Sequence, residues 1–271
     1  MAWDKIVTAD TVVQRLYEDK GLYQKCNRSY DSLVTEGATS VRRPKLAQLA
    51  ARKNEGTAST DAARKLTHSD TTMVETTLDV YTVPIAHELA AKFESNDRLR
   101  SEYEISMAMA LKRQFNSDVI AAAQATSNVG DFAGASLAWS DFGTIFEHFE
   151  TNEIPEDGRV IVVSASLTKE FYNIDTIKSA IGFNRELLQN GMANQMLGAT
   201  WYISGLVPQI GGKNNIVGFY GPGLAFILSS FGEIKETYDP GVYGVTKPRD
   251  VIDMTAHAAA ELDDNDFAIV L

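Results

Sequence analysis

From residue 71 to residue 83 the chain alternates, with Thr72, Val74, Thr76, Leu78, Val80 and Thr82 at every second position. A period of two, rich in Thr and Val, predicts a β-strand, and Pro84 is expected to stop it. At about 3.3 Å per residue this strand would reach roughly 43 Å. That is long beside the usual length of about 5–6 residues, and it suggests one side of a protruding β-arm. The period then changes. Across 97–124, Leu99, Tyr103, Met107, Leu111, Phe115 and Val119 recur at every fourth residue, with Ala108, Ala110, Ala121, Ala122 and Ala123 beside them and no Gly or Pro between. That pattern predicts a helix, which Ser95 or Asn96 is placed to cap. At about 1.5 Å per residue it extends for roughly 42 Å, a spine rather than a connector.

The flanking segments are shorter. Asp10 is placed to cap a helix over 11–20 that carries Val12, Val13, Leu16 and Tyr17 on one side and ends at Gly21. Residues 22–40 show little periodicity and read as an arm. Residues 127–138, rich in Gly, Ala and Ser, mark a boundary. Beyond it, Phe142, Ile145, Phe146 and Phe149 give a helix over 140–151 one apolar face. The turn Pro155-Glu156-Asp157-Gly158 follows, and Val160-Ile161-Val162-Val163 reads as a fully buried strand. A helix opening at Ser166, a strand over 199–204 and the apolar stretch 215–230 complete an αβ unit. β-patterns return at 233–238, 251–260 and 267–271. In the middle one, Ile252, Met254, Ala256, Ala258 and Ala260 share a face. That face needs a cover, so the tail is expected to pack on the spine helix, with 139–232 as an insertion between them.

Charge adds one feature to this picture. The 271 residues carry a formal net charge of −11, yet residues 40–66 hold Arg42, Arg43, Lys45, Arg52, Lys53, Arg64 and Lys65 against only Glu55 and Asp61. The island has a net charge of +5, which leaves −16 for the rest of the chain. A basic projection on an acidic body suits self-association, because charge complementarity sets partner orientation more than raw affinity. A solvated surface loop is the plainer alternative. Nucleic-acid binding by the island lacks the aromatic residues that a stacking platform requires. The hydrophobic fraction of 44% and charged fraction of 23% are those of an ordinary soluble globular chain. No run of about 18 apolar residues and no signal peptide is found. Cys26 is the one cysteine, so no internal disulfide forms, which fits a reducing compartment or a particle assembled there.

Motifs for catalysis are not found. His68, His87, His148 and His257 have no metal-ligand spacing between them. Ser164 and Ser166 lie between a strand and a helix without the Gly residues of a nucleophile elbow, and helix capping is the expected role. Gly211-Gly212-Lys213-Asn214 departs from a phosphate loop at Val207 and Asn214. Gly218, Gly221 and Gly223 fit no dinucleotide fingerprint, and Asp263-Asp264-Asn265-Asp266 lacks the Gly and distal Glu of a calcium loop. No catalytic, cofactor-binding or metal-binding residue is assigned, and no enzyme is expected. A soluble αβ enzyme stays as the alternative from another class.

The order of parts, together with Leu78-Asp79-Val80-Tyr81-Thr82-Val83-Pro84 and Glu153-Ile154-Pro155-Glu156-Asp157-Gly158-Arg159-Val160-Ile161-Val162-Val163, resembles the major capsid proteins of tailed bacteriophages, the Hong Kong 97-type fold. The resemblance implies an α+β chain with an N-terminal arm (1–37), an extended β-loop (38–83), a peripheral domain with the spine helix (84–138), an inserted axial domain (139–232) and a peripheral β tail (233–271). It implies hexamers and pentamers of one chain, closed into an icosahedral head around double-stranded DNA without sequence-specific contact. The seven loop cations named above would then make the inter-subunit contacts. A separate scaffolding protein is expected, because few residues precede the loop, and so are a portal and a decoration protein, with no membrane. The location implied is the virion, assembled in the host cytoplasm. Some members weld a loop Lys to a neighbour's Asn. Lys45, Lys53 and Lys65 are loop lysines, but no residue here identifies that chemistry. An encapsulin-type compartment shares the implied fold. Replacing both Arg42 and Arg43 by Glu is expected to leave the chain folded and block its assembly, as gel filtration and electron microscopy would show.

Overall fold

The structure, a computed structural model, describes residues 21–35, 38–44, 73–87, 97–130, 137–175, 198–207, 216–229, 233–239 and 249–271, with the backbone alone over 85–87, 97–104, 233–239 and 249–253. Among them the elements run β1 (Ser40–Pro44), β2 (Met73–Thr77), β3 (Asp79–His87), α1 (Asp97–Gln124), α2 (Trp139–Thr151), β4 (Arg159–Ser164) and α3 (Thr168–Asn173). They continue with β5 (Ala199–Ser204), β6 (Ile216–Tyr220), β7 (Leu224–Leu228), β8 (Glu233–Asp239), β9 (Arg249–Leu262) and β10 (Ala268–Val270). The helix expected over 11–20 lies outside the described residues.

The alternation over 71–83 forms two strands rather than one. Leu78 is buried between β2 and β3, and its N–H donates to the Thr39 carbonyl. On one side β2 pairs with β1, and on the other β3 pairs with β9. Pro84 does not stop β3, which continues to His87 with Pro84 opposite Asp253. The reason is position. β3 is the edge of its sheet, order β3-β9-β7 with β8 also on β9, and an edge tolerates a residue that has no N–H to donate.

The spine helix is present over the expected residues, and Met107, Leu111, Phe115 and Val119 of the predicted stripe are buried, joined by Ile120 and Ala123. The stripe faces two sheets at once. Phe226, Met254, Ala256 and Ala258 come from β7 and β9, while Val160, Val162, Val217, Phe219 and Ala268 come from the second sheet, order β10-β6-β4-β5. Phe115 lies at the centre, its ring centroid 5.8, 5.3 and 5.5 Å from those of Tyr23, Tyr81 and Phe226. The other face of the second sheet carries Ile161, Val163, Trp201 and Ile269 against Phe142, Ile145 and Phe149 of α2 and Phe171 of α3. β4 is thus covered on both faces, as its unbroken apolar run predicted.

Two boundaries fall elsewhere than expected. β7, placed by sequence in the inserted unit, belongs to the sheet of the tail, and β10, placed in the tail, belongs to the inserted sheet. The sheets exchange strands through two turns that touch. Gly223 accepts the Asp263 N–H at 3.0 Å, and a Cβ on Gly223 would come within 2.4 Å of the Phe267 ring. Residues 21–35 are also no free arm. Leu22, Tyr23 and Cys26 are in the core, and Asn27 makes two backbone bonds to β7, at 2.8 and 3.0 Å.

Truncating Phe115 to Ala is expected to cost about 3–5 kcal/mol, read as a fall in urea midpoint at unchanged slope. Burial pushes the Asp118 carboxyl on α1 above the usual carboxylate range, with Asp79 adding to the rise and the Tyr81 hydroxyl and Gln114 amide opposing it. A raised carboxylate favours the fold while protonated, and that contribution is lost as pH climbs through the folded value. Asp118→Asn is therefore expected to raise Tm at pH 7. The gain should vanish near pH 3, below the ordinary value of about 3.9, in calorimetry across that range.

Candidate functional site

The described part of the basic island is its root, the antiparallel β1–β2 ladder, in which Val41 stands opposite Thr76, Arg42 opposite Glu75, Arg43 opposite Val74 and Pro44 opposite Met73. A strand sends successive side chains to opposite faces. Val41, Arg43 and Thr76 accordingly point inward and Arg42, Glu75 and Thr77 outward. The inward face lies on the side of the β7–β9 sheet away from α1, where Val34, Val41, Leu78, Ile227 and Ala259 form a third apolar cluster. The root therefore packs on its own chain.

Arg42 is open to solvent on the outward face. Its side chain is 77% exposed and lies 3.6 Å from Glu75, itself 54% exposed. Arg43 is not, and its expected contact with a neighbour is corrected here: the side chain is 0% exposed. Its Nε donates to Thr76 Oγ1 at 3.0 Å and one terminal nitrogen donates to Glu261 Oε2 at 3.0 Å. The other terminal nitrogen is paired with Asp263, whose side chain is also fully buried. Thr76 Oγ1 donates to Glu261 at 2.6 Å, and the Tyr30 ring lies 5.5 Å from the guanidinium carbon. Burial acts to lower the Arg43 pKa, but the bonds and charges of Asp263 and Glu261 prevail and raise it. Lys45, Arg52, Lys53, Arg64 and Lys65 lie outside the described residues.

Sequence reasoning missed Glu261, Asp263 and Thr76. The available signal was the shared parity of Val41 and Arg43, which places a cation on the apolar side of a strand.

The other candidates fall into packing roles. Ser164 and Ser166 hydroxyls bond to each other at 2.9 Å and neither caps a helix, because the chain leaves β4 through a 3-10 turn whose N-cap makes no side-chain bond. The capping expectation is corrected accordingly. His148 Nε2 lies 2.9 Å from the Asp266 carbonyl, and His257 Nδ1 is buried with no hydrogen-bond partner. Burial pushes the Cys26 thiol well up, against the opposing charge of Arg28. Among the described residues no group of three or more His, Cys, Asp or Glu side chains is placed to hold a metal ion. Asp264 accepts the Asp266 N–H at 3.3 Å, closing a turn. Gly218 packs under Ile145, Phe149 and Ile269. Residues 211–214, His68 and the His87 side chain lie outside the description.

No family model matches this sequence, and no curated protein matches it. Solved structures do. A chain of Mycobacterium phage Che8 superposes with a TM-score of 0.60 at 12% identity, covering 93% of this chain and 90% of that one. The capsid of cyanophage P-SCSP1u gives 0.54 at 14% identity, over 93% and 87%. The virus-like particle from Pyrococcus furiosus gives 0.61 at 7% identity, over 99% and 100%. The likeness covers nearly the whole chain, so the fold is the α+β fold of phage-type capsid shells, the Hong Kong 97-type.

The two arginines are expected to part company when mutated. Arg43→Glu places a third carboxylate beside two others in a buried site and should cost about 3–5 kcal/mol. Arg42→Glu should change stability by less than about 1 kcal/mol, because its pair is exposed. Urea unfolding of the two single variants checks this, and the double substitution, which carries the Arg43 cost, no longer separates assembly from folding.

Proposed function

We propose that this chain is a major capsid protein whose copies build the closed icosahedral head of a phage around double-stranded DNA. The observation that carries the reading is the match of fold over 93% or more of the chain to the three structures above, which include a phage capsid and a virus-like particle. The charge pattern supports it. Arg42 stands outward at the root of a loop whose remaining residues carry Lys45, Arg52, Lys53, Arg64 and Lys65 on an otherwise acidic chain. Contacts between unlike patches close into rings, here the hexamers and pentamers of a shell. Each exposed ion pair contributes only about 0–1 kcal/mol, which keeps early association reversible while the closed lattice sums many such pairs. An acidic chain does not grip phosphate, so enclosed DNA is free to enter and leave. A separate scaffold, a portal and a decoration protein complete the proposed assembly, in a virion put together in the host cytoplasm.

A second reading is a protein compartment that holds protein cargo rather than DNA. It is favoured by the Pyrococcus furiosus particle, which matches over the full length of both chains.

Electron microscopy and light scattering of the purified chain, alone and with its scaffold, are expected to show uniform closed shells. A chain that stays monomeric or dimeric under both conditions removes the proposal. Nuclease-protected double-stranded DNA inside native particles selects the phage head, and protein cargo selects the compartment. Replacing Arg42, Lys45 and Arg52 together by Glu should leave Tm unchanged and raise the concentration needed for assembly by about tenfold or more, through the loss of several pairs per contact. Added salt should weaken wild-type assembly in the same direction.

A further inference from the structure

A buried guanidinium between two carboxylates is a costly way to hold two strands on a sheet. Apolar side chains of similar volume commonly do as well or better, because taking charges out of water consumes most of their attraction. What an apolar residue does not supply is direction. The guanidinium is a rigid plane with five N–H donors. Here that plane is held on three sides: by Thr76 of β2 at Nε, and by Glu261 at the end of β9 and Asp263 just beyond it at the two terminal nitrogens. The Tyr30 ring lies 5.5 Å from the guanidinium carbon, and the Tyr30 hydroxyl donates to the Pro44 carbonyl at 3.1 Å. The location matters as much as the bonds. Pro44 and Met73 are the last residue pair of the ladder, and Arg43 with Val74 is the pair before it. The network therefore grips the ladder one residue pair short of its end.

We propose that Arg43, Glu261 and Asp263 form a positioning site that fixes the tilt of the β1–β2 ladder on its sheet, hence the direction in which the chain departs at Pro44 and returns at Met73, and thereby the angle at which adjoining copies meet. The second half of this statement rests on the shell reading. A change of tilt at the root grows with distance from it, so a small rotation of the ladder becomes a larger displacement away from the subunit. The exposed pair of Arg42 with Glu75 makes one long contact on the outer face and has no comparable directional hold.

Two variants test the site. Arg43→Lys keeps the charge and removes the planar fork. The triple variant Arg43→Met, Glu261→Gln, Asp263→Asn removes all three charges together, so that no carboxylate is left buried without its partner. Both are expected to fold, with Tm within about 5 °C of wild type for the triple variant. Amide hydrogen exchange over 40–43 and 73–77 is expected to rise at least tenfold in both, and shells are expected to be broad in diameter or open. Exchange that stays at the wild-type rate in both variants overturns the anchor. Uniform shells of wild-type diameter overturn the link from anchor to subunit angle, and a lowered Tm alongside uniform shells would make the triad merely structural. Should the wild-type chain form no shells, the shell reading fails by itself, while the exchange measurement on the unassembled chain still decides the anchor.

Discussion

One stripe of α1 supports both sheets, and the rest of the molecule is arranged around that constraint. Phe115 and its neighbours meet β7 and β9 on one side and β4, β6 and β10 on the other within a single apolar cluster. A helix that packs on one sheet can slide or tilt with it. A helix wedged across two fixes their mutual orientation, because close-packed interiors do not deform continuously. The aromatic contacts of Phe115 with Tyr23, Tyr81 and Phe226 extend the same grip to residues 21–35 and to β3. The β1–β2 ladder, resting on the β7–β9 sheet, takes its orientation from this core.

The parts of this architecture that were legible in the sequence are those in which one local pattern decides the outcome. The helix over 97–124 carries its stripe without interruption, and no partner choice alters its period. The buried run at β4 likewise has one reading. Partner choice is where local pattern fails. Nothing in Leu224-Ala225-Phe226-Ile227-Leu228 says which sheet it joins, because an apolar strand covered on both faces fits either one. Pro84 was misread because its effect depends on whether β3 has a neighbour on both sides. The serines at the end of β4 were misread because a hydroxyl that would cap an α-helix instead meets another hydroxyl at a 3-10 turn.

Charge was legible as a total and not as a geometry. The island summed to a positive projection, yet two adjacent arginines at its root have opposite fates under strand alternation. Arg42 is open to solvent, and Arg43 is enclosed with acidic groups from a segment more than 200 residues away. That long-range pair was invisible because Glu261 and Asp263 belong to a tail whose distance from β1 in space is set by the fold alone. The parity of Arg43 with Val41 was the one local trace of it.

The crossing of β7 and β10 between the sheets decides what a block exchange would do to the fold. A stretch inserted between two halves of a host domain is ordinarily a cassette, free to be swapped or excised. Here each sheet borrows a strand from the other's share of the sequence, and the two borrowings meet at Gly223 and Asp263. Recombination that exchanged residues 139–232 as a block would carry away β7 and strand β10 without its mate. A replacement block would therefore have to bring a strand that fits the β9 sheet as well as one that fits β10.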